Sequence, residues 1–177
     1  MKVVDESQPL EVPSPTADLL EPKHKMQIGS WNVRTLNQTG KLAQTIKEMH
    51  RYKLDILGIQ EARWTGQGRR KLTTQHTEDT IIWSGKEDLH EGGVALIITK
   101  EASRALLKWT PINERLLYAR FNSRFTKLSI IVCYAPTEAA EEELKEDFYN
   151  SLQATVETIP KHATHLGRLQ CKIRRRK

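Results

Sequence analysis

Apolar positions along the chain fall into dense runs of two kinds, separated by polar stretches. The first kind is too short for a helix. "MQIGSW", "LDILGIQ", "TIIWSG" and "GGVALIIT" each carry an apolar stretch of strand length, and such runs read as buried strands. "RLLYARF" and "KLSIIVCYA" follow in the same manner. In the second, Leu128, Ile130, Val132 and Tyr134 stand at alternate positions and so share one face. The second kind of run has the helical period. Leu42, Ile46 and Met49 predict a helix over Lys41–Arg51. Leu144, Phe148, Leu152, Val156 and Ile159 predict another over Glu138–Ile159, ended by Pro160. "KEASRALLKW" fits a short helix or an irregular connection, and Ala62 to Thr77, rich in Gly, Arg and Thr, reads as a loop. Strands and helices mixed in this order predict sheet layers covered by helices, an α/β fold.

The 177 residues suffice for one domain with a real core. Residues 1–25 hold Pro9, Pro13, Pro15 and Pro22 among acidic and small residues, the composition of a flexible leader. The folded part is then expected over 26–162, with a basic tail at 163–177. No apolar run approaches the roughly 20 residues of a membrane span, so no membrane partner is expected. Two cysteines, Cys133 and Cys171, cannot build a disulfide framework, which points to a reducing, intracellular compartment. The net charge of +6 changes the picture only through its location. Seven of the 28 Lys and Arg residues lie from Lys161 to Lys177 with no acid among them, leaving 21 bases against 22 acids elsewhere. The body therefore gives no charge argument for a polyanionic partner. The tail does: "KIRRRK", with Arg174, Arg175 and Arg176, reads as a nuclear address or a nucleic-acid-binding segment.

Three polar residues stand at the ends of predicted strands, where α/β folds place their sites. Asn32 follows the first strand, Glu61 ends the second, and Tyr134 ends the last. Singly, they read as a turn residue, a solvated strand end and half-buried packing. Taken in order, "IGSWNVRTLN", "LDILGIQEARW", "GGVALIIT" and "IIVCYAPTE" resemble the endonuclease/exonuclease/phosphatase family. They are closer still to the endonuclease domain of non-LTR retrotransposons and to proteins derived from it, the craniofacial development protein 2-like group among them. The resemblance runs from about Met26 to His162. It implies a metal-dependent DNA phosphodiesterase with a deoxyribonuclease-like, four-layer α-β-β-α sandwich, here its N-terminal portion only. By the same resemblance Glu61 matches the Mg²⁺ ligand, a carboxylate suited to a hard cation. Asn32 matches the amide supporting the metal and phosphate site, and Tyr134 the phenol that hydrogen-bonds the scissile phosphate. Arg63 and the basic group Arg69, Arg70 and Lys71 would meet the DNA backbone.

The resemblance also implies a downstream half: a Gly-Asp-x-Asn block closing the next strand, then a late Ser-Asp-His block. Their aspartate and histidine manage the proton transfers of hydrolysis. This chain has neither block, so a truncated, inactive domain is expected, with exposed sheet edges and an uncovered apolar face. The alternative is a non-enzymatic module that binds nucleic acid or protein through the retained surface and basic tail. The family would continue after "TIPKH" with an apolar strand, where this chain reads Ala163 to Cys171. Permitted codons for those residues, read one nucleotide later, give Leu-Leu-Ile-Leu-Gly-Asp-Phe-Asn-Ala. The tail is thus read as the catalytic strand out of frame, after a small deletion or a misplaced splice boundary. A zinc reading of His162, His165 and Cys171 offers three ligands and no partner elsewhere.

Overall fold

The two unbroken apolar runs demand cover on both faces, and they receive it. A computed structural model describes residues 26–74, 77–123 and 127–160, with the backbone of Leu166–Arg168. The expected leader, His162, His165, Cys171 and the Arg174, Arg175 and Arg176 cluster lie outside the described residues. In chain order the first sheet uses β1 (Ile28–Asn32), β2 (Ile56–Gln60), β3 (Gln67–Thr73), β4 (Glu78–Ser84) and β5 (Val94–Ile98). Their spatial order is β1-β2-β5-β4-β3. β1 and β2 are parallel, joined through α1 (Lys41–Arg51), and the remaining pairs are antiparallel. Every residue of β2 and β5 is buried. A second sheet contains β6 (Leu106–Asn113), β7 (Leu116–Phe121), β8 (Leu128–Cys133) and β9 (Leu166–Arg168), antiparallel except for the parallel β8–β9 pair.

The inner faces of the sheets make the main core. Ile56, Ile82, Leu96 and Ile98 from the first meet Leu117, Phe121, Ile130 and Val132 from the second. Each such side chain contributes about 1.5–3 kcal/mol on burial. The outer face of the first sheet packs Leu57, Ile59, Ile81 and Ile97 under Ile46 and Met49 of α1. On the outer face of the second, Tyr118 meets Ile159, just beyond α3 (Glu142–Glu157). The layers are therefore helix, sheet, sheet, helix.

Four expectations need correction. The span from Ala62 to Thr77 is not one loop, because Gln67–Thr73 pair with β4 along their whole length. β3 is an edge strand with mostly exposed residues, so it carries no apolar alternation that sequence could reveal. "KEASRALLKW" divides into α2 (Lys100–Arg104), capped by Thr99 Oγ1 accepting from Ala102 N at 3.4 Å, and the start of β6. The first strand begins at Ile28 and extends to Asn32. α3 is shorter than predicted and its stripe is rotated: Phe148 and Thr155 are buried, while Leu144 and Val156 are exposed. With Tyr149 also exposed, α3 presents apolar side chains to solvent.

Candidate active site

Sheet register sets the site. Asn32 pairs with Gln60, Gln60 with Val94, Val94 with Ser84, and Ser84 with Gln67, so one cross-strand row marks this end of the first sheet. Asn32 ends β1 and Glu61 follows β2 on the neighbouring strand. Their side chains meet, the Asn32 Nδ2 donating to Glu61 Oε1 at 2.6 Å. The Asn32 amide is oriented from its other side, because Oδ1 accepts from the Arg34 N–H at 3.0 Å.

The backbone here is held in an uncommon conformation. Arg34, Glu61 and Arg63 all have positive φ, at 61°, 55° and 55°, a region costing a side-chain-bearing residue roughly 1–2 kcal/mol. Hydrogen bonds hold the turn after β2 in place. Ala62 N and Arg63 N donate to Gly93 O and Gly92 O at 3.0 and 2.8 Å, and His90 Nδ1 lies 2.9 Å from Arg63 O. Gly93 has φ 79°, and a Cβ there would stand 3.2 Å from Arg63 N, so glycine is required. The turn brings Arg63 Nη2 to 3.5 Å from Glu61 Oε2.

Tyr134 arrives from the second sheet, one residue past β8. Burial first, and then the neighbouring Glu61 carboxylate, push its phenol above the ordinary tyrosine value. Arg115 and Arg63 pull in the opposite direction. At neutral pH the phenol is accordingly a protonated donor. Asn32, Glu61, Arg63 and Tyr134 thus converge, and the arrangement offers an amide, a guanidinium and a phenol as donors around one carboxylate. Such donors can stabilise a phosphate oxygen.

The implied Mg²⁺ can be tested against the donor set. A site of this kind takes one or two carboxylates and completes its octahedron with water and substrate phosphate. Glu61 fits as a single-carboxylate ligand. Among the described residues no group of three or more His, Cys, Asp and Glu could hold a metal ion without such help.

The basic group Arg69, Arg70 and Lys71 is not part of this convergence. β3 lies three strand spacings from β2, about 14 Å, and Lys71 lies four residues down the strand from Gln67 in the end row. Arg69 donates from Nη2 to Ser103 Oγ at 3.4 Å, with burial lowering its pKa, and Lys71 pairs with Glu78 at 3.6 Å. Sequence reasoning missed Arg115, in the β6–β7 turn, which approaches the Tyr134 ring. A charged pair in a tight turn reads as surface, and only the Asn113 before it hinted at a built turn. It also missed the support that His90 gives the Arg63 backbone.

This layered sandwich is the deoxyribonuclease-like fold of the apurinic endonucleases. The AP endonuclease LMAP from Leishmania major superimposes with a TM-score of 0.52 at 12% identity, over 77% of this chain and 52% of that one. An endonuclease/exonuclease/phosphatase family protein from Leptotrichia buccalis C-1013-b gives 0.51 at 13%, over 78% and 63%. At such identities the likeness shows the fold alone. No protein-family profile matches the chain. In sequence the chain is homologous to craniofacial development protein 2 of Bos taurus, 39% identical over 139 residues, or 78% of this chain. It spans 23% of that relative's length. The solved structures thus place the chain in the deoxyribonuclease-like fold, and its sequence likeness covers one part of a longer relative.

Proposed function

We propose that the chain is part of a Mg²⁺-dependent DNA endonuclease domain of retrotransposon origin, retaining its phosphate-holding half and inactive in hydrolysis as written. The observation that carries this reading is the Asn32–Glu61 contact of 2.6 Å, with the Tyr134 phenol near enough for the same carboxylate to raise its pKa. Strand ends from both sheets converge on one point, as a phosphate between two donors requires. When bound at Glu61, Mg²⁺ would neutralise charge on a phosphate oxygen. Asn32 orients the carboxylate, Tyr134 donates to the phosphate, and Arg63 adds positive charge beside it. Arg69, Arg70 and Lys71 would meet only a polyanion long enough to cross to the β3 edge. Hydrolysis further needs a group to move the proton of water, worth about 10²–10⁴-fold in rate. The resemblance assigns that role to blocks the sequence lacks.

The frame reading of the tail gains support from β9. Leu166, Gly167 and Arg168 pair in parallel with Ser129, Ile130 and Ile131, so the segment runs beside β8 toward the Tyr134 end. The resemblance puts there a strand ending in Gly-Asp-x-Asn, and the shifted reading places its aspartate at position 168. The coding sequence decides: codons 163 to 171 must yield that motif in the next frame.

Fluorescence anisotropy with a short DNA duplex tests the site itself. Mg²⁺ should tighten binding by the wild type and leave Glu61→Gln unaffected; equal Mg²⁺ response in both would refute the metal role. A second reading, a non-enzymatic nucleic-acid-binding module, is favoured by the confinement of excess positive charge to Lys161–Lys177. Under it, deleting residues 163–177 abolishes salt-dependent binding while Glu61→Gln changes nothing.

A further inference from the structure

The β6–β7 hairpin reverses over Glu114 and Arg115, with Asn113 paired to Leu116. An arginine in such a turn ordinarily extends into water. Arg115 instead folds back, its side chain only 21% exposed, and engages one residue at three points. Its Nη1 donates to Tyr134 O at 3.2 Å, its own carbonyl accepts from Tyr134 N at 2.9 Å, and its guanidinium carbon lies 5.4 Å from the Tyr134 ring centroid. That last distance is within cation–π range.

We infer that Arg115 is a positioning residue, which fixes the Tyr134 ring against Glu61 and so sets where a phosphate oxygen is met. The inference rests on the reading of Tyr134 as a phosphate contact. The hairpin holding Arg115 is itself tied down. Asn113 Oδ1 accepts from Arg115 N at 2.9 Å, and Asn113 O accepts from Ser84 Oγ at 2.8 Å. Ser84 belongs to the end row of the first sheet that contains Asn32. Ser84, Asn113, Arg115 and Tyr134 therefore link the two sheets at the site, and the ring inherits its place from both.

Arg115 Nε is buried with no hydrogen-bond partner, although Glu114 Oε1 is 3.7 Å away. An unsatisfied buried donor costs stability that an apolar side chain of similar volume would avoid. Arg120 Nε, farther along β7, is buried in the same way, so what marks Arg115 is its planar cation placed on the Tyr134 ring.

Ring-labelled tyrosine NMR on the full chain tests this directly, since Tyr52, Tyr118 and Tyr149 serve as internal references. In Arg115→Met, the Tyr134 ring signals should shift and ring flipping should accelerate, on the order of tenfold, with the three references unmoved. Arg115→Lys keeps the charge but loses the planar stack and should restore the wild-type spectrum only in small part. It also carries the test if Arg115→Met does not fold. Unchanged Tyr134 signals in either variant, or all four rings moving together, would overturn the inference. Adding duplex DNA to the wild type addresses the underlying reading separately. If Tyr134 does not respond to DNA, the phosphate reading fails, while the ring spectra still decide whether Arg115 holds the tyrosine.

Discussion

The two ends of the first sheet are built from the same strands and treat their polar residues in opposite ways. At one end the row Ile28, Ile56, Ile98, Thr80 and Lys71 is followed by charges that neutralise one another. Glu78 takes Lys100 at 3.0 Å and Lys71 at 3.6 Å, buried Asp79 meets His50 at 2.8 Å, and Thr80 meets Ser103 at 3.1 Å. At the other end the row from Asn32 to Gln67 leads into backbone with positive φ at Arg34, Glu61 and Arg63, and polar groups crowd one carboxylate. Charge alone does not separate the ends. Unfavourable backbone separates them by degree: one positive-φ residue, Lys53 at 54°, precedes β2 at the first end, whereas three gather at the other, and strain of that kind collects where a chain has chemistry to arrange.

Substitutions should expose the difference, beginning with the largest effect. Ile98→Ala, in the fully buried row away from the site, should cost about 2–5 kcal/mol in urea unfolding. A loss under about 1 kcal/mol would mean that the row does not hold the sheets together. At the site end the sign should reverse. Glu61→Gly relieves a positive φ of 55° and should raise stability by up to about 1 kcal/mol while removing the Mg²⁺ response of DNA binding. If that variant were markedly less stable, Glu61 would belong to the scaffold.

The smallest effects separate the ends by pH. Lys100 first, with Lys71, lowers the Glu78 pKa. A lowered carboxylate contributes stability above its unfolded pKa and loses it as pH falls through the folded value. Glu78 is partly exposed, so this acid-side loss should be slight, absent in Lys100→Ala, and erased by salt. Tyr134 is raised. Its contribution is full below the unfolded tyrosine pKa and is lost as pH climbs through the folded value. An alkaline loss of stability that Tyr134→Phe does not remove would place its origin elsewhere.

Much of this was legible in the sequence, for identifiable reasons. β2, β5, β7 and β8 announce themselves because both faces of a central strand must be apolar. β3 does not, because an edge strand with one neighbour can be built from "QGRRKLT" and still pair throughout. β6 was hidden by Pro111 and by its bulged register with β7. The stripe of α3 was misjudged because Thr155 turns inward and Leu144 outward, a choice set by the layer beneath rather than by the helix. Asn32, Glu61 and Tyr134 could be singled out only as an ordered set through the family resemblance, since no one of them is distinctive. Arg115 was out of reach, as its meaning lies in a fold-back onto a residue 19 positions later.

The central claim is a retained half-site without hydrolysis. A supercoiled-plasmid nicking assay in Mg²⁺, with the full chain beside Glu61→Ala, tests it most directly. The account predicts that neither protein nicks above the protein-free background. Nicking by the wild type that Glu61→Ala abolishes would contradict it.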